Sequence, residues 1–407
     1  MYKIKNLTLV RIKPNIMTKL FIILMIITFT KSATGQWTTL TTGTTDDINS
    51  IYFTNVDSGF AVSSSGTIFK TTDGGVNWSQ STFGTHERFK EIYFTNDTIG
   101  FIVGDTTFIR TIDGGSNWAP LPTISSGNGI LFVNDTIGYS WTYSTLHKSI
   151  DAGTTWVQQS SVGHKSIYFV DENLGYSVKG SLIQKTINGG INWSQQISGT
   201  SLPLNDIYFT DANTGYAVGG GAVLIPSNQQ WESIILKTID GGANWAQQYW
   251  YTPGLLESVI FTSQDTGYAV GGLDGTILKT IDAGTNWISQ SIPQVDYLNT
   301  VHFVNMNVGY AAGRNDGILK TINGSVNIDE ETSRRNLVIY PNPTLYQLRI
   351  DTELNLSEIS IIDLAGKTIK SIQQNTNTIN VADLPSGIYF IKIITEETII
   401  TKKFVKH

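Results

Sequence analysis

Lys237-Thr238-Ile239-Asp240-Gly241-Gly242-Ala243-Asn244-Trp245 is the stretch from which the fold of this chain can be read. Its skeleton is Ser/Thr, any residue, Asp/Asn, any, Gly, any, Asn/Thr, Trp. The acidic or amide position recurs at Asp73, Asp113, Asp151, Asn188, Asp240, Asp282 and Asn323, with spacings of 40, 38, 37, 52, 42 and 41 residues. In six copies a Trp follows five residues later, at Trp78, Trp118, Trp156, Trp193, Trp245 and Trp287. Upstream of each copy stands an apolar-aromatic segment, a turn and a Gly-aromatic pair, as in Ile51-Tyr52-Phe53 with Gly59-Phe60 and Ile207-Tyr208-Phe209 with Gly215-Tyr216. Periods near 40 with several short strands per unit indicate a propeller or a solenoid.

The local patterns are β throughout. Ile-Tyr-Phe, Gly-Tyr-Ala-Val-Gly, Ile-Leu-Lys-Thr and Asn-Trp-x-Gln-Gln are short, β-branched or aromatic, and bounded by Gly, Asn and Asp. Four strands per unit make one blade. The seventh copy, Thr321-Ile322-Asn323-Gly324-Ser325-Val326-Asn327-Ile328, lacks its Trp and the strand that should follow, whereas Gln36-Trp37-Thr38-Thr39 has a Trp and strand with no motif before them. Complementary half-units at the two ends predict that Trp37 completes the last blade. An open solenoid has no need of such ends. The expected fold is all-β: a seven-bladed propeller over residues 36–328, closed by the N-terminal strand, followed by a linker at 329–335 and a small β-sandwich at 336–407.

These motifs resemble the Asp-box, or bacterial neuraminidase repeat. With Lys/Arg-Thr-x-Asp-Gly-Gly-x-Asn-Trp, the pattern is similar to the propellers of the photosystem II assembly and stability factor of plants and cyanobacteria, and less closely to sialidases and xyloglucan-degrading hydrolases. The resemblance implies that the box is a structural hairpin, and its chemistry agrees. An Asp or Asn in a turn accepts backbone N–H bonds, Gly supplies positive φ, and the Trp plugs a gap between strands. Asn at 188 and 323 would abolish an acid catalyst and keep an acceptor.

A cation stands three residues before each box position: Lys70, Arg110, Lys148, Lys185, Lys237, Lys279 and Lys320. An anion-binding ring is one reading; a locally paired strand position, repeated because the unit was duplicated, is the better one. Asp171-x-Asn173-x-Gly175 and Asp211-x-Asn213-x-Gly215 lack the remaining ligands of a calcium loop and recur as turns. No cofactor or metal is expected.

Boxes and Asx-Gly turns fall on one face of an up-and-down propeller, and the variable connections on the other, where binding resides on a rigid scaffold. These connections are read as Ser140-Trp141-Thr142-Tyr143, Tyr249-Trp250-Tyr251, Arg314-Asn315-Asp316 and an insertion at 219–232 with Trp231, which accounts for the 52-residue spacing. Candidate ligand-binding residues are therefore Trp141, Tyr143, Trp231, Tyr249, Trp250, Tyr251 and Arg314, facing a glycan or protein ligand. Catalysis has weaker support. Arg88, Arg110 and Arg314 do not make a sialidase triad, and His86, His147, His164 and His302 have no metal-ligand spacing. A two-carboxylate glycosidase would draw on Asp46, Asp47, Glu91, Asp206, Glu257 and Asp296, all read as preceding first strands on the variable side.

The chain has 407 residues, no cysteine, 27 basic and 33 acidic residues. Such a balance lacks the footprint of a nucleic-acid binder, and a monomer is expected. Residues 1–35 hold six Lys/Arg, no acid, and an uncharged run of 11 residues at 20–30, too short to span a membrane. They read as a secretory signal peptide starting at Met1 or Met17 and cut before Gln36. Its removal leaves 21 basic against 33 acidic residues, net −12. The end of the chain, with Tyr340-Pro341-Asn342-Pro343, Asp363-Leu364-Ala365-Gly366-Lys367, Leu384-Pro385-Ser386-Gly387-Ile388-Tyr389-Phe390 and Lys402-Lys403-Phe404-Val405-Lys406, resembles the type A C-terminal sorting domain of the Bacteroidota type IX secretion system. That resemblance implies passage through the outer membrane by the type IX machinery and a secreted or surface-attached product.

Overall fold

The computed structural model describes residues 37–84, 87–225, 228–251, 254–272, 275–324, 338–351, 356–362, 368–373, 377–395 and 399–406. The leader, the linker at 329–335 and His86 lie outside them. The chain divides into two compact units, residues 1–325 and 326–407. Among the described residues both are built of strands and turns, and no helix is long and apolar enough to cross a membrane.

In the first unit the described residues form seven four-stranded antiparallel sheets. Sheet 1 shows the plan: Ile48–Phe53, Gly59–Ser63, Thr67–Thr71 and Ser79–Thr82 pair in chain order. Sheets 2 to 6 repeat it, opening with Phe89–Phe94, Gly129–Phe132, Ser166–Phe169, Leu204–Phe209 and Leu256–Phe261. Sheet 7 takes Leu298–Phe303, Gly309–Gly313 and Ile318–Thr321 from the end of the repeats and Trp37–Leu40 from the beginning, with Trp37 opposite Thr321 and Leu40 opposite Ile318. The Asp316 carboxylate secures this junction by accepting the Thr42 N–H at 2.9 Å.

One aromatic device joins neighbouring sheets. The last residue of each first strand, Phe53 in sheet 1, stacks on the Gly-aromatic residue of the preceding sheet with centroids 3.6 to 5.1 Å apart. Tyr176 on Phe209 and Tyr310 on Phe53 are two of seven such pairs. The box Trp meets the same Phe edge-on at about 6 Å, and Trp37 meets Phe303 as Trp78 meets Phe53. The Gly of the Gly-aromatic pair is required by this packing. A Cβ on Gly215 would lie 2.5 Å from the Phe209 ring, and one on Gly309 2.4 Å from Phe303.

Two readings of the loops are corrected. The insertion at 219–232 extends a hairpin rather than forming a loop: Gly215–Ile225 and Asn228–Thr238 pair continuously to Ile225 opposite Asn228, because the added residues keep the antiparallel register. Trp231, opposite Ala222, is half-buried on that hairpin. Tyr249, Trp250 and Tyr251 belong to the outer strand of sheet 5, paired with Ile235, Ile234 and Ser233; their side chains lie outside the description.

The second unit has a three-stranded sheet (Val338–Tyr340, Gln347–Asp351, Thr378–Asn380) and a four-stranded one (Leu356–Ile362, Thr368–Gln373, Gly387–Thr395, Ile399–Lys406). Leu348, Ile350 and Ile379 of the first pack with Ile359, Ile361, Ile391, Ile393 and Phe404 of the second. Alternating apolar positions supply this core. The short strand Thr378–Asn380 has no counterpart in the sequence reading, since its three polar-flanked residues carry too little pattern.

Candidate functional site

The first strands of all seven sheets border one cavity of about 390 Å³. A bulge early in the first strands of sheets 1, 2, 5, 6 and 7 brings two successive residues to it, so the chemistry of the cavity follows from a few register positions. One position carries Asn49, Lys90, Asn128, Lys165, Asn205, Glu257 and Asn299. The next carries Ser50, Glu91, Ser166, Asp206, Ser258 and Thr300. A third carries Tyr52, Tyr93, Leu131, Tyr168, Tyr208, Ile260 and His302.

The third position forms an aromatic layer. Tyr52 lies 5.2 Å from Tyr93 and 4.5 Å from the His302 ring, and Tyr168 lies 4.8 Å from Tyr208. Tyr52, Tyr93, Tyr208 and His302 each bond to a carbonyl of the next sheet. Tyr52 Oη donates to the Phe94 carbonyl, Tyr208 Oη to that of Phe261, and His302 Nε2 lies 3.1 Å from that of Phe53. Tyr52 and His302 also border a second cavity of about 220 Å³, so the layer floors the larger one.

Above the floor stand the ionisable groups. Glu91 Oε2 accepts the Ile130 N–H of the next sheet at 3.0 Å. Asp206 bridges three sheets, accepting from Ser166 Oγ at 2.7 Å, from its neighbour Ile207 N–H and from Val259 N–H at 2.9 Å. Burial pushes the Glu91 carboxyl up to about 8, with Asp206 adding a smaller upward push and the Ile130 N–H opposing it; burial also raises Asp206. Glu257 accepts the Tyr297 hydroxyl at 2.6 Å and lies 3.9 Å from Lys165 Nζ. Lys90 is engaged elsewhere, on Asp105 at 2.5 Å and Asn128 Oδ1 at 2.6 Å. Glu91, Asp206 and Glu257 thus sit within or at the start of first strands and line one cavity. Asp46, by contrast, accepts from Ser65, Asp47 accepts the Asn315 N–H at 3.2 Å, and Asp296 accepts from Asn315.

The box residues are held by their own turns. Asp113 accepts from Thr111 Oγ1 and from the backbone and side chain of Asn117 at 2.7 to 2.8 Å, bonds that lower its carboxyl to about 2. Asp73, Asp151, Asp240 and Asp282 are bonded in the same way, and Asn188 Oδ1 accepts from Asn192 N–H and Thr186. Asn323 follows Thr321, whose hydroxyl accepts its N–H. Trp37, Trp156 and Trp287 are buried; Trp78, Trp118, Trp193 and Trp245 are half-buried beside their Phe partners.

The repeated cations point between sheets. Lys70 donates to the Gly114 carbonyl of the next box, Lys185 to Gly241, Lys237 to Ala283 and Lys320 to Gly74, at 2.6 to 2.8 Å. Each also lies over the Gly-aromatic ring of its own sheet, 5.3 to 5.7 Å from the centroid. Arg110 reaches Thr154 Oγ1, and Lys148 lies over Tyr139. Sequence reasoning had no means of finding these receptors, because they are backbone carbonyls 44 to 56 residues away, or 246 in the case of Lys320.

Of the variable-face candidates, Trp141 is corrected: it ends the second strand of sheet 3, is 5% exposed, and donates its indole N–H to the Lys165 carbonyl of sheet 4. A residue read as loop is drawn inside because it takes the fourth place of the second strand, a core position filled by buried Val62 in sheet 1 and Val103 in sheet 2. Its ring borders the cavity. Tyr143 is exposed, with its carbonyl accepting from Lys179; Arg314 is exposed and lies 4.6 Å over the Tyr297 ring, beside Glu257. Tyr143 and Trp231 are not brought to the cavity lining. His164 is fully buried against Trp193 with Nδ1 2.8 Å from Ser177 Oγ. Asp171 and Asp211 accept the N–H groups of their own turns, and among the described residues no three His, Asp or Glu side chains are grouped to hold a metal.

Residues 338–407 match the secretion system C-terminal sorting domain, and residues 29–126 match the photosynthesis system II assembly factor YCF48. This chain pairs a YCF48-like propeller with a secretion sorting domain. Among solved structures, "YCF48 bound to D1 peptide" is 19% identical with a TM-score of 0.58, covering 70% of this chain and 97% of that one. YCF48 from Cyanidioschyzon merolae is 16% identical with a TM-score of 0.57, covering 70% and 98%. The WD40 propeller domain of Doa1 is 12% identical with a TM-score of 0.54, covering 70% and 94%. At these identities the likeness is one of fold. No curated protein matches the chain. A sorting domain of this kind supports secretion or attachment at the cell surface, and it shares the chain with a YCF48-like propeller.

Proposed function

We propose that residues 36–328 form a closed seven-bladed propeller that acts outside the cell as a non-catalytic binding module. Residues 1–35 would be the leader and residues 336–407 the sorting label. Closure is supported by contacts between sheets 7 and 1 that repeat those elsewhere: Lys320 to the Gly74 carbonyl, Asn299 Nδ2 to that of Ile48, and Tyr310 on Phe53. The observation that carries the binding reading is the division of labour among polar groups. Box acids are bonded by their own turns and Lys70, Lys185, Lys237 and Lys320 by carbonyls of the neighbouring sheet, while the residues that differ from sheet to sheet collect at the cavity and the face around it, with Tyr143 and Arg314 exposed on that side. A protein ligand takes precedence over a glycan, since a solved YCF48 is described with a peptide.

The glycoside hydrolase reading draws support from Glu91, a carboxyl raised to about 8 in the same cavity as Asp206. Glycan and peptide arrays probed with the full secreted chain, beside a reducing-sugar assay on polysaccharides, separate the two. The expected outcome is retention without turnover, weakened by Tyr143→Ala with Arg314→Ala. Turnover lost in Glu91→Gln would overturn the binding-only reading.

A further inference from the structure

Buried polar atoms are as a rule hydrogen-bonded, and one side chain of the central cavity breaks the rule. At the first register position Asn49 donates its Nδ2 to the Phe89 carbonyl of the next sheet, Asn205 to that of Leu256 and Asn299 to that of Ile48. Asn128 differs. Its Nδ2 is buried and has no partner among the described residues, while its Oδ1 accepts from Lys90 Nζ of the preceding sheet at 2.6 Å. Turning the amide round does not help, because an ammonium has donors only. Two acids flank the pair. Asp105 Oδ1 lies 2.5 Å from the same Lys90 Nζ. Glu91 Oε2 accepts the Ile130 N–H, and a Cβ on Gly129 would lie 2.7 Å from that oxygen, so the carboxyl stands against the backbone that carries Asn128. Burial pushes this carboxyl up to about 8, which makes it a proton donor at neutral pH.

An amine touching a carboxamide, a leaving nitrogen that nothing holds, a proton acceptor on the amine and a proton donor beside the amide are the parts of an amide exchange. We propose that Lys90 and Asn128 are the site of a self-made isopeptide bond that ties sheet 2 to sheet 3. Lys90 Nζ passes one proton to Asp105 and attacks Asn128 Cγ, while Glu91 protonates Oδ1. As the adduct collapses, Oδ1 returns its proton to Glu91 and the Cγ–Nδ2 bond breaks. Nδ2 takes a second proton from the amine, collects the one held by Asp105, and leaves as ammonium. An Nζ–Cγ bond replaces the Cγ–Nδ2 bond, and nothing is oxidised or reduced. In a chain without cysteine such a link braces neighbouring sheets where no disulfide can form.

The test is denaturing mass spectrometry of the full secreted chain, followed by digestion with trypsin. The wild-type chain should be lighter than its sequenced termini require by about 17 Da, one ammonia. Residues 89–110 should emerge joined to residues 111–148 as one branched peptide, because trypsin does not cut after an acylated lysine. Lys90→Met, Asn128→Ala and Glu91→Gln, the last keeping an acceptor for the Ile130 N–H, should each show full mass and no branched peptide. Thermal melts establish that the variants fold, and the wild-type digest decides the bond even where one does not. A wild-type chain at full mass would overturn it. So would a deficit that survives in Lys90→Met, the mark of Asn128 closing onto the Gly129 nitrogen. A loss of about 18 Da with the link inside residues 89–110 would mean condensation of Lys90 with Asp105 and would overturn it equally. A branched peptide that still forms in Glu91→Gln would overturn the role given to Glu91.

Discussion

At the residue scale, the pattern is one of polar groups whose partners were chosen by strand register. Glu91 illustrates it. It sits where Ser50 sits in sheet 1, and Ser50 Oγ accepts the Ile92 N–H much as Glu91 accepts that of Ile130. A serine would satisfy that donor; the carboxylate adds a charge the fold does not need. Because its carboxyl moves from 4.5 up to about 8 on folding, the unfolded chain loses this proton first as pH rises. The stability that Glu91 contributes should therefore fall between about pH 5 and pH 8. Glu91→Gln, which retains an acceptor, should make the change in stability from pH 5 to pH 8 more favourable in urea unfolding, while His164 and His302, held down to about 4 by burial, contribute the opposite sign in both chains. An unchanged slope would show that Glu91 is ionised in the folded chain.

At the element scale, the decisive strand is Trp37–Leu40. It forms the fourth strand of sheet 7, nearly 300 residues from its partner Ile318–Thr321, and Trp37 is 1% exposed against Tyr268 and Phe303. Trp156, also buried, does the same work inside a single repeat. Trp37→Ala and Trp156→Ala should each lower stability by about 3–5 kcal/mol. A Trp37→Ala chain with native stability would mean that the N-terminal strand is an accessory, and the closed ring would lose its support. The strand was legible because an orphan Gln-Trp-Thr-Thr and an orphan box complement each other. The extended hairpin of sheet 5 was not, since Gly219-Gly220-Gly221 reads as loop when nothing shows the strand opposite.

At the scale of the whole molecule, two units carry separate instructions. Residues 336–407 hold seven basic and seven acidic residues, whereas residues 36–335 hold 14 basic and 26 acidic, so the acidic excess lies on the latter. That excess agrees with a ligand that is neutral or cationic rather than anionic. Deleting residues 336–407 should strand a folded propeller in the periplasm, detected by cell fractionation and protease shaving. Display of the truncated chain at the surface would contradict the sorting assignment.

The repeat, its β character and the sorting label were determined by the sequence alone, because they rest on local chemistry: a turn acceptor, glycines against an aromatic ring, alternation along a strand, motifs in fixed order. Asn at 188 already argued that the box is scaffold, and Asn188 accepts from its own turn as Asp113 does. Tertiary structure alone decided where the unrepeated residues meet. Trp141 was drawn into the interior, Lys70, Lys185, Lys237 and Lys320 were matched to carbonyls of the next sheet, and Glu91, Asp206 and Glu257, spread over 167 positions of chain, came to line one cavity. The physical reason is that a strand's pattern states which side of a sheet a residue faces, whereas what stands opposite it across the cavity depends on how sheets far apart in sequence are set around a common centre.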